Sequence, residues 1–375
     1  VRVTAYDWEE LRGLSLARQF PEVPGRDAES VAAVVARIGP IQSQTARSPF
    51  IGLGARLPGL SHPAVTEAYE SLALVRGSTI RGTVHTSTPT QHLLLDATTR
   101  VGQRSVWTRQ LPLGHSEVDE LWSSVEAYAR DEWRTPDELL EHLHAWLAAR
   151  DGTHPTESLD RGLGRYLSFG HGGLVRRPLG SDWSGQGSPG YRTAAALLPL
   201  RLRPEDPLLE VVGMHLASHG PASRHDIAWW SGLGLRQVDG LLDRLNLTWR
   251  DGPDGRPYAD LPGAPPPREV PGVRLLPEFD ALMCGYDPKA RDRFVSPADN
   301  VLLWRRANGL MLAPVLVDGR LGGHWRLEGA GRARTLTVSS FRGSRRLRKA
   351  EVGEAAAALS TALDVTLGGV TSQRL

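Results

Sequence analysis

A helix start, a second helix and a hairpin with a polar tip occur in that order twice in this chain. Such a repeat restricts the architecture more tightly than composition does. Thr135-Pro136-Asp137-Glu138 opens the first copy, with threonine as N-cap, proline at the first helical position and acids in the first turn. Leu139, Leu140, Leu143 and Leu147 follow at helical spacing and predict a helix over 138–149. A Gly-Thr-His-Pro turn then leads to a second helix over 157–169, a strand at 173–177, a Gly/Ser/Pro-rich tip at 179–190 and a return strand at 191–193. Helix, turn, helix and β-hairpin make a winged helix, in which the second helix and the hairpin face DNA. About 88 residues later the pattern recurs, from Pro221-Ala222-Ser223-Arg224 through Trp229-Trp230, with a helix over 235–245 and strands at 246–250 and 256–260. A looser copy opens the chain, with helices near 7–19 and 27–38 and wing-like strands at 72–75 and 82–86.

The fold expected is α+β: three tandem winged-helix units over 1–112, 113–200 and 201–262 in a C-shaped arrangement. A C-terminal antiparallel β-barrel over 268–375 follows. Leu261-Pro262-Gly263-Ala264-Pro265-Pro266-Pro267 reads as a stiff linker or boundary. Beyond it, strands are expected at 273–276, 301–304, 311–317, 323–326 and 333–338, with Asp318-Gly319 as a hairpin turn and a terminal helix at about 344–363.

At 375 residues with 40% apolar composition the chain can bury several cores. No apolar run approaches the roughly 18 residues that span a bilayer, and a cytoplasmic protein without membrane contact is expected. The lone Cys284 can form no intrachain disulfide and reads as a buried thiol. The 12 histidines show no metal-ligand spacing, so neither metal nor cofactor is expected. Net charge is only +2, but residues 281–350 hold fourteen Lys or Arg against five Asp or Glu. That clustering points to a polyanionic partner.

One stretch carries chemistry. Ala36-Arg37-Ile38-Gly39-Pro40-Ile41-Gln42-Ser43-Gln44-Thr45 sets two glutamines two residues apart after a short apolar helix. A carboxamide pair does no acid or base work near neutral pH, yet it offers two C=O acceptors and two NH2 donors in one place. That suits a reaction needing a positioned water and no strong acid. Local sequence alone favours the plainer reading, a solvated helix or helix entry.

Five stretches, in order, resemble the AlkZ-type DNA glycosylases. They are Ile41-Gln42-Ser43-Gln44; Arg81-Gly82-Thr83-Val84-His85; Gly220-Pro221-Ala222 with Ala228-Trp229-Trp230-Ser231-Gly232-Leu233; Leu275-Leu276-Pro277-Glu278-Phe279-Asp280 with Gly285-Tyr286; and Pro314 to Arg320 with Trp325-Arg326. The resemblance implies tandem winged helices with a C-terminal barrel, and removal of bulky or crosslinked N7-alkylated purines from double-stranded DNA by a monomer. It also implies that Gln42 and Gln44 are the catalytic pair. The middle position is usually apolar in that family and is Ser43 here, which either faces the lesion or caps local backbone. An N7-alkylated purine is cationic and leaves without a general acid, so amides suffice to hold water and stabilise an oxocarbenium-like sugar.

Further candidates for DNA contact are Arg81 and His85 in the first unit, the loop carrying Lys289, Arg291 and Arg293, and Arg320 at a hairpin tip. His85 also reads as a structural histidine, the 287–293 loop as self-paired through Asp287 and Asp292, and Trp229-Trp230 as core. Two functions remain: a DNA glycosylase acting on cationic alkylpurines, tied to self-resistance against a DNA-alkylating natural product, or a non-catalytic winged-helix regulator.

Overall fold

The computed structural model describes residues 5–111, 113–152, 154–157, 159, 161–199, 205–305, 309–329 and 333–375. Its helix starts are set locally. Asp7, Asp27, Thr88, Thr135, Ser223 and Ser296 each stand just before a helix and accept a hydrogen bond from the backbone three residues on. Each satisfies one of the N–H groups that a helix leaves unpaired. At Thr88, Thr135 and Ser223 the side chain of Gln91, Glu138 or Asp226 returns the bond. The expected helix pairs are Trp8–Gln19 with Ala28–Ile38, Pro136–Asp151 with Arg161–Phe169, and Arg224–Ser231 with Leu235–Leu242. Thr153, in the predicted turn, and residues 158 and 160, in the predicted second helix, lie outside the described residues.

The hairpins combine in a way the repeat does not announce. Strands β1 (Ile41–Gln42), β2 (Val75–Thr79), β3 (Thr83–Ser87), β4 (Leu174–Pro178) and β5 (Pro189–Thr193) form one sheet in the order β1-β3-β2-β4-β5. The hairpin of the opening stretch is thereby joined to that of the next through Gly77 opposite Val175. Gly77 allows the approach, since a Cβ there would lie 2.7 Å from Leu174 O and 2.5 Å from His92 Cε1. Strands β6 (Ala222–Ser223), β7 (Thr248–Asp251) and β8 (Pro257–Asp260) make a separate sheet, ordered β6-β8-β7.

The C-terminal part departs from the expected antiparallel barrel. Strands β9 (Val273–Leu275), β12 (Pro314–Val317), β13 (Arg320–Glu328), β14 (Ala333–Ser340) and β15 (Thr366–Arg374) form a curled half-barrel, ordered β15-β14-β13-β12-β9. Its last pair is parallel, because the helix Lys349–Leu363 carries the chain back across before β15. The strand expected at 301–304 is mostly a helix, Pro297–Leu303. Ser296 caps it by accepting from Asp299 N at 3.1 Å, and that local start overrides the apolar run Val301-Leu302-Leu303. Only Trp304 and Arg305 are extended, as β10, paired with β11 (Leu310–Met311).

One core runs through both ends of the chain. Val31, Val35, Phe50 and Tyr69 pack with Val273, Val315, Trp325, Leu336 and Leu359. The proline-rich run is likewise no free spacer: Arg268 N donates to Gly13 O at 3.0 Å, and Pro267 lies against Gly13, where a Cβ would be 2.8 Å away. Buried ion pairs Arg18–Asp260 (2.6 Å) and Arg56–Asp280 (2.9 Å) tie the first two hundred and sixty-odd residues to one another and to the half-barrel. Among the described residues no helix is long and apolar enough to cross a membrane.

Candidate active site

The helix Ala28–Ile38 aims the glutamine segment, and its C-terminal end is held unusually well. Helix ends leave carbonyls unpaired. Here Gln19 Nε2 donates to Ile38 O (2.8 Å), while Gln91 Nε2 donates to Val35 O (3.1 Å) and Ala36 O (3.2 Å). Gly39, at φ +82°, turns the chain out of the helix. The next residues do not form a helix entry; they form edge strand β1, with Gln42 opposite His85 and Ser43 N donating to Val84 O at 2.7 Å.

Extended backbone puts residues i and i+2 on one face and the residue between them on the other. Gln42 Nε2 accordingly donates to Gln44 Oε1 at 3.1 Å. Gln42 is buried and Gln44 exposed, so the pair leads from the interior to the surface. That bond leaves Gln42 Oε1 as an acceptor and Gln44 Nε2 as a donor for other groups. Ser43, on the opposite face, is only 3% exposed. Its hydroxyl donates to Ile41 O (2.8 Å) and meets Thr86 Oγ1 (2.8 Å), which meets Tyr69 OH (2.6 Å), which accepts from Arg76 Nη2 (3.1 Å). Ser43 is therefore a buried anchor of the strand, its hydroxyl turned into the interior.

A recess of about 20 Å³, room for about one water molecule, lies beside Gln42 and is also bordered by Arg81, His85, His219, Phe279 and Cys284. No group bordering it is poised to titrate near neutrality. Burial pushes His85 down to about 3, against the pull of the Thr83 carbonyl that its Nδ1 meets at 2.9 Å. Burial pushes His219 well down and the Cys284 thiol up to about 11. Arg47, three residues after Gln44, pairs with Glu278, the neighbour of Phe279, at 2.9 Å.

The remaining expected DNA contacts separate. Arg81 Nη1 donates to the carbonyls of Trp229 and Trp230, both at 2.7 Å, and so caps the end of the helix Arg224–Ser231. His85 is buried. In the predicted phosphate loop only Lys289 is exposed; Arg291 and Arg293 are 2% and 0% exposed. Arg291 lies 4.2 Å from the Trp304 ring centroid and 5.5 Å from that of Trp229. Arg293 donates to Ser15 Oγ and Pro221 O and faces Asp226. Both guanidiniums are consumed by packing between distant segments, which removes them from the surface a phosphate could reach. Arg320 is exposed, but it opens β13 beside Arg12 and Asp292 and is not the hairpin tip. The Trp pair also divides, with Trp230 buried and Trp229 38% exposed. Phe279 and the Arg47–Glu278 pair escaped sequence reasoning; the only signal for Glu278 and Phe279 was membership of the Leu275–Asp280 stretch that carries the family resemblance, and Arg47 had none.

A family model described as DNA glycosylase AlkZ-like matches residues 35–362. Over 388 residues the chain is 24% identical to the interstrand DNA cross-link repair glycosylase of Streptomyces sahachiroi, covering 96% of this chain and 97% of that protein. The solved structure of Streptomyces sahachiroi DNA glycosylase AlkZ is similar in fold, with TM-score 0.78 and 22% identity over 98% of this chain and 100% of that one.

Proposed function

The chain belongs to the AlkZ-like DNA glycosylase family, and on that premise we propose that it hydrolyses the N-glycosidic bond of bulky or crosslinked N7-alkylated purines in double-stranded DNA. The observation that carries this reading is the Gln42–Gln44 bond of 3.1 Å, which links a buried amide to an exposed one beside groups that stay uncharged or fixed in charge at neutral pH.

The chemistry follows from the leaving group. A purine alkylated at N7 carries a positive charge, so it departs with the glycosidic electron pair as a neutral base and needs no proton donor. His85, neutral far below pH 7, is no acid for it. Charge then develops on the deoxyribose, and the Gln42 carbonyl dipole stabilises it. The pair of amides holds a water within reach of the anomeric carbon. Attack by that water, with loss of its proton to solvent, leaves an abasic site. The enzyme is monofunctional, with neither Lys289 nor Lys349 close to the pair in sequence.

Three winged-helix units over 1–112, 113–200 and 201–262 form the DNA-facing cleft in this reading, the half-barrel over 268–375 braces the first of them, and the protein acts as a monomer. The relative from Streptomyces sahachiroi is a cross-link repair glycosylase, and self-resistance to a DNA-alkylating natural product is the corresponding role here. Gln42→Ala and Gln44→Ala, assayed by single-turnover release of N7-alkylguanine from duplex DNA, should each lose about a hundredfold in rate or more while duplex affinity stays within about threefold. Normal excision by both variants would remove the pair from catalysis.

A further inference from the structure

Phe279 sits at φ +60°, in the left-handed region that a bulky side chain rarely occupies. Its neighbours are held on both sides. On one side Leu276 N donates to Pro314 O at 2.9 Å, Pro277 packs on Gly52, and Glu278 pairs with Arg47. On the other, Asp280 receives both guanidinium arms of Arg56, at 2.9 and 3.1 Å, and caps Leu282 N at 3.0 Å. Strain held in place from both sides is characteristic of residues kept for what they present and not for how they fold. Glycine would take this conformation freely; a phenyl ring stands there instead.

The ring is half-buried and borders the same recess as Gln42. It meets Trp304 edge to face, with centroids 6.3 Å apart at 87°, and Trp304 in turn lies over Arg291 at 4.2 Å. The orientation of the phenyl is thus fixed by an indole that is itself held by a guanidinium.

We propose that Phe279 is a specificity-determining residue: its aromatic face receives the cationic ring of the N7-alkylated purine as the glycosidic bond is brought to the glutamine pair. An aromatic face carries negative potential and attracts a cation as well as stacking on a flat ring. An undamaged purine offers the stacking but not the charge. The contact therefore favours the damaged base over its neutral counterpart where two amides alone have little means to do so. This inference rests on the proposed cationic substrate.

The test compares binding of two duplexes that are not cleaved, one holding the 2′-fluoro analogue of N7-methyl-deoxyguanosine, which is cationic, and one holding 7-methyl-7-deaza-deoxyguanosine, its neutral isostere. The wild-type protein should bind the cationic duplex roughly threefold to thirtyfold more tightly, the range of a cation–π contact. Phe279→Leu should bring that ratio to about one, and Phe279→Trp should keep or raise it. Pentafluorophenylalanine at 279, which keeps ring size and reverses the potential of the face, should abolish the preference with no loss of folded protein, and it decides the matter if the leucine variant does not fold. A ratio unchanged by leucine or by the fluorinated ring overturns the proposal. Excision of N7-alkylguanine by the wild-type protein is measured in parallel: its absence defeats the proposed activity, whereas normal excision with no charge preference defeats only the role of Phe279.

Discussion

Ser43 sits between two amides with its hydroxyl turned into the interior. Its hydroxyl begins a chain through Thr86 and Tyr69 to Arg76, all buried. Each member is bonded to the next, so losing one strands its partner away from water. Ser43→Ala should cost about 1–3 kcal/mol of stability in denaturant melts. It should also slow excision of a bulky adduct and of N7-methylguanine by the same factor, since the change reaches the glutamines through the strand alone. A shift in the ratio of the two rates would put Ser43 back on the lesion side. The residue scale is where sequence reading was most uneven. Gln42 and Gln44 were legible as a pair through the chemistry of two neighbouring amides and the family resemblance; the extended backbone that carries them, in place of a helix entry, was not. Arg291 and Arg293 were not, because charge counted along a chain says nothing about which guanidiniums lie over Trp304 and Tyr286 rings.

The helix Ala28–Ile38 and strand β1 act together, since the carbonyls at the end of one determine where the other begins. Gln91 contributes twice, through its bonds to Val35 O and Ala36 O and through the capping box with Thr88 at the start of its own helix Pro89–Gln110. Gln91→Leu keeps the volume and removes all three side-chain bonds. It should lower the unfolding free energy by about 2–4 kcal/mol and reduce single-turnover excision severalfold while leaving duplex affinity unchanged; full activity with the stability loss would show that the helix end does not register the glutamine pair. Elements of this kind were readable wherever a cap and an apolar period coincide, as at Thr135 and Ser223. Pairing between β2 and β4 was not, because the register Gly77↔Val175 joins segments with no local signal for each other. At 301–304 the apolar run suggested a strand, and the Ser296-Pro297 start decided for a helix.

At the scale of the whole molecule, the segments meet around buried histidines that have no charged partner to keep them protonated. His215 and His219 stack with centroids 4.9 Å apart under Trp230; His215 Nε2 donates to Gly285 O at 2.9 Å, and Tyr286 OH donates to His219 O at 2.9 Å. His85 lies across the recess by Gln42. Burial holds His215 down to about 4 and His85 to about 3. In the unfolded chain each returns to about 6.5. Below that value the unfolded state binds protons that the folded state refuses, so the stability from these groups is complete above pH 6.5 and falls as the pH drops toward the folded values. Between pH 7 and pH 5 the loss is about 2 kcal/mol for each of these two histidines, which is a large share of the stability of a folded protein. Urea midpoints at the two pH values should therefore differ clearly. His85→Asn, neutral at both, should shrink the difference by about 2 kcal/mol, and His219, held well down by burial, adds to what remains. The single-turnover rate of folded protein should stay level over the same interval, because no group beside Gln42 changes charge within it. A stability that does not vary from pH 7 to pH 5 would mean that these histidines are hydrated and not held neutral by burial.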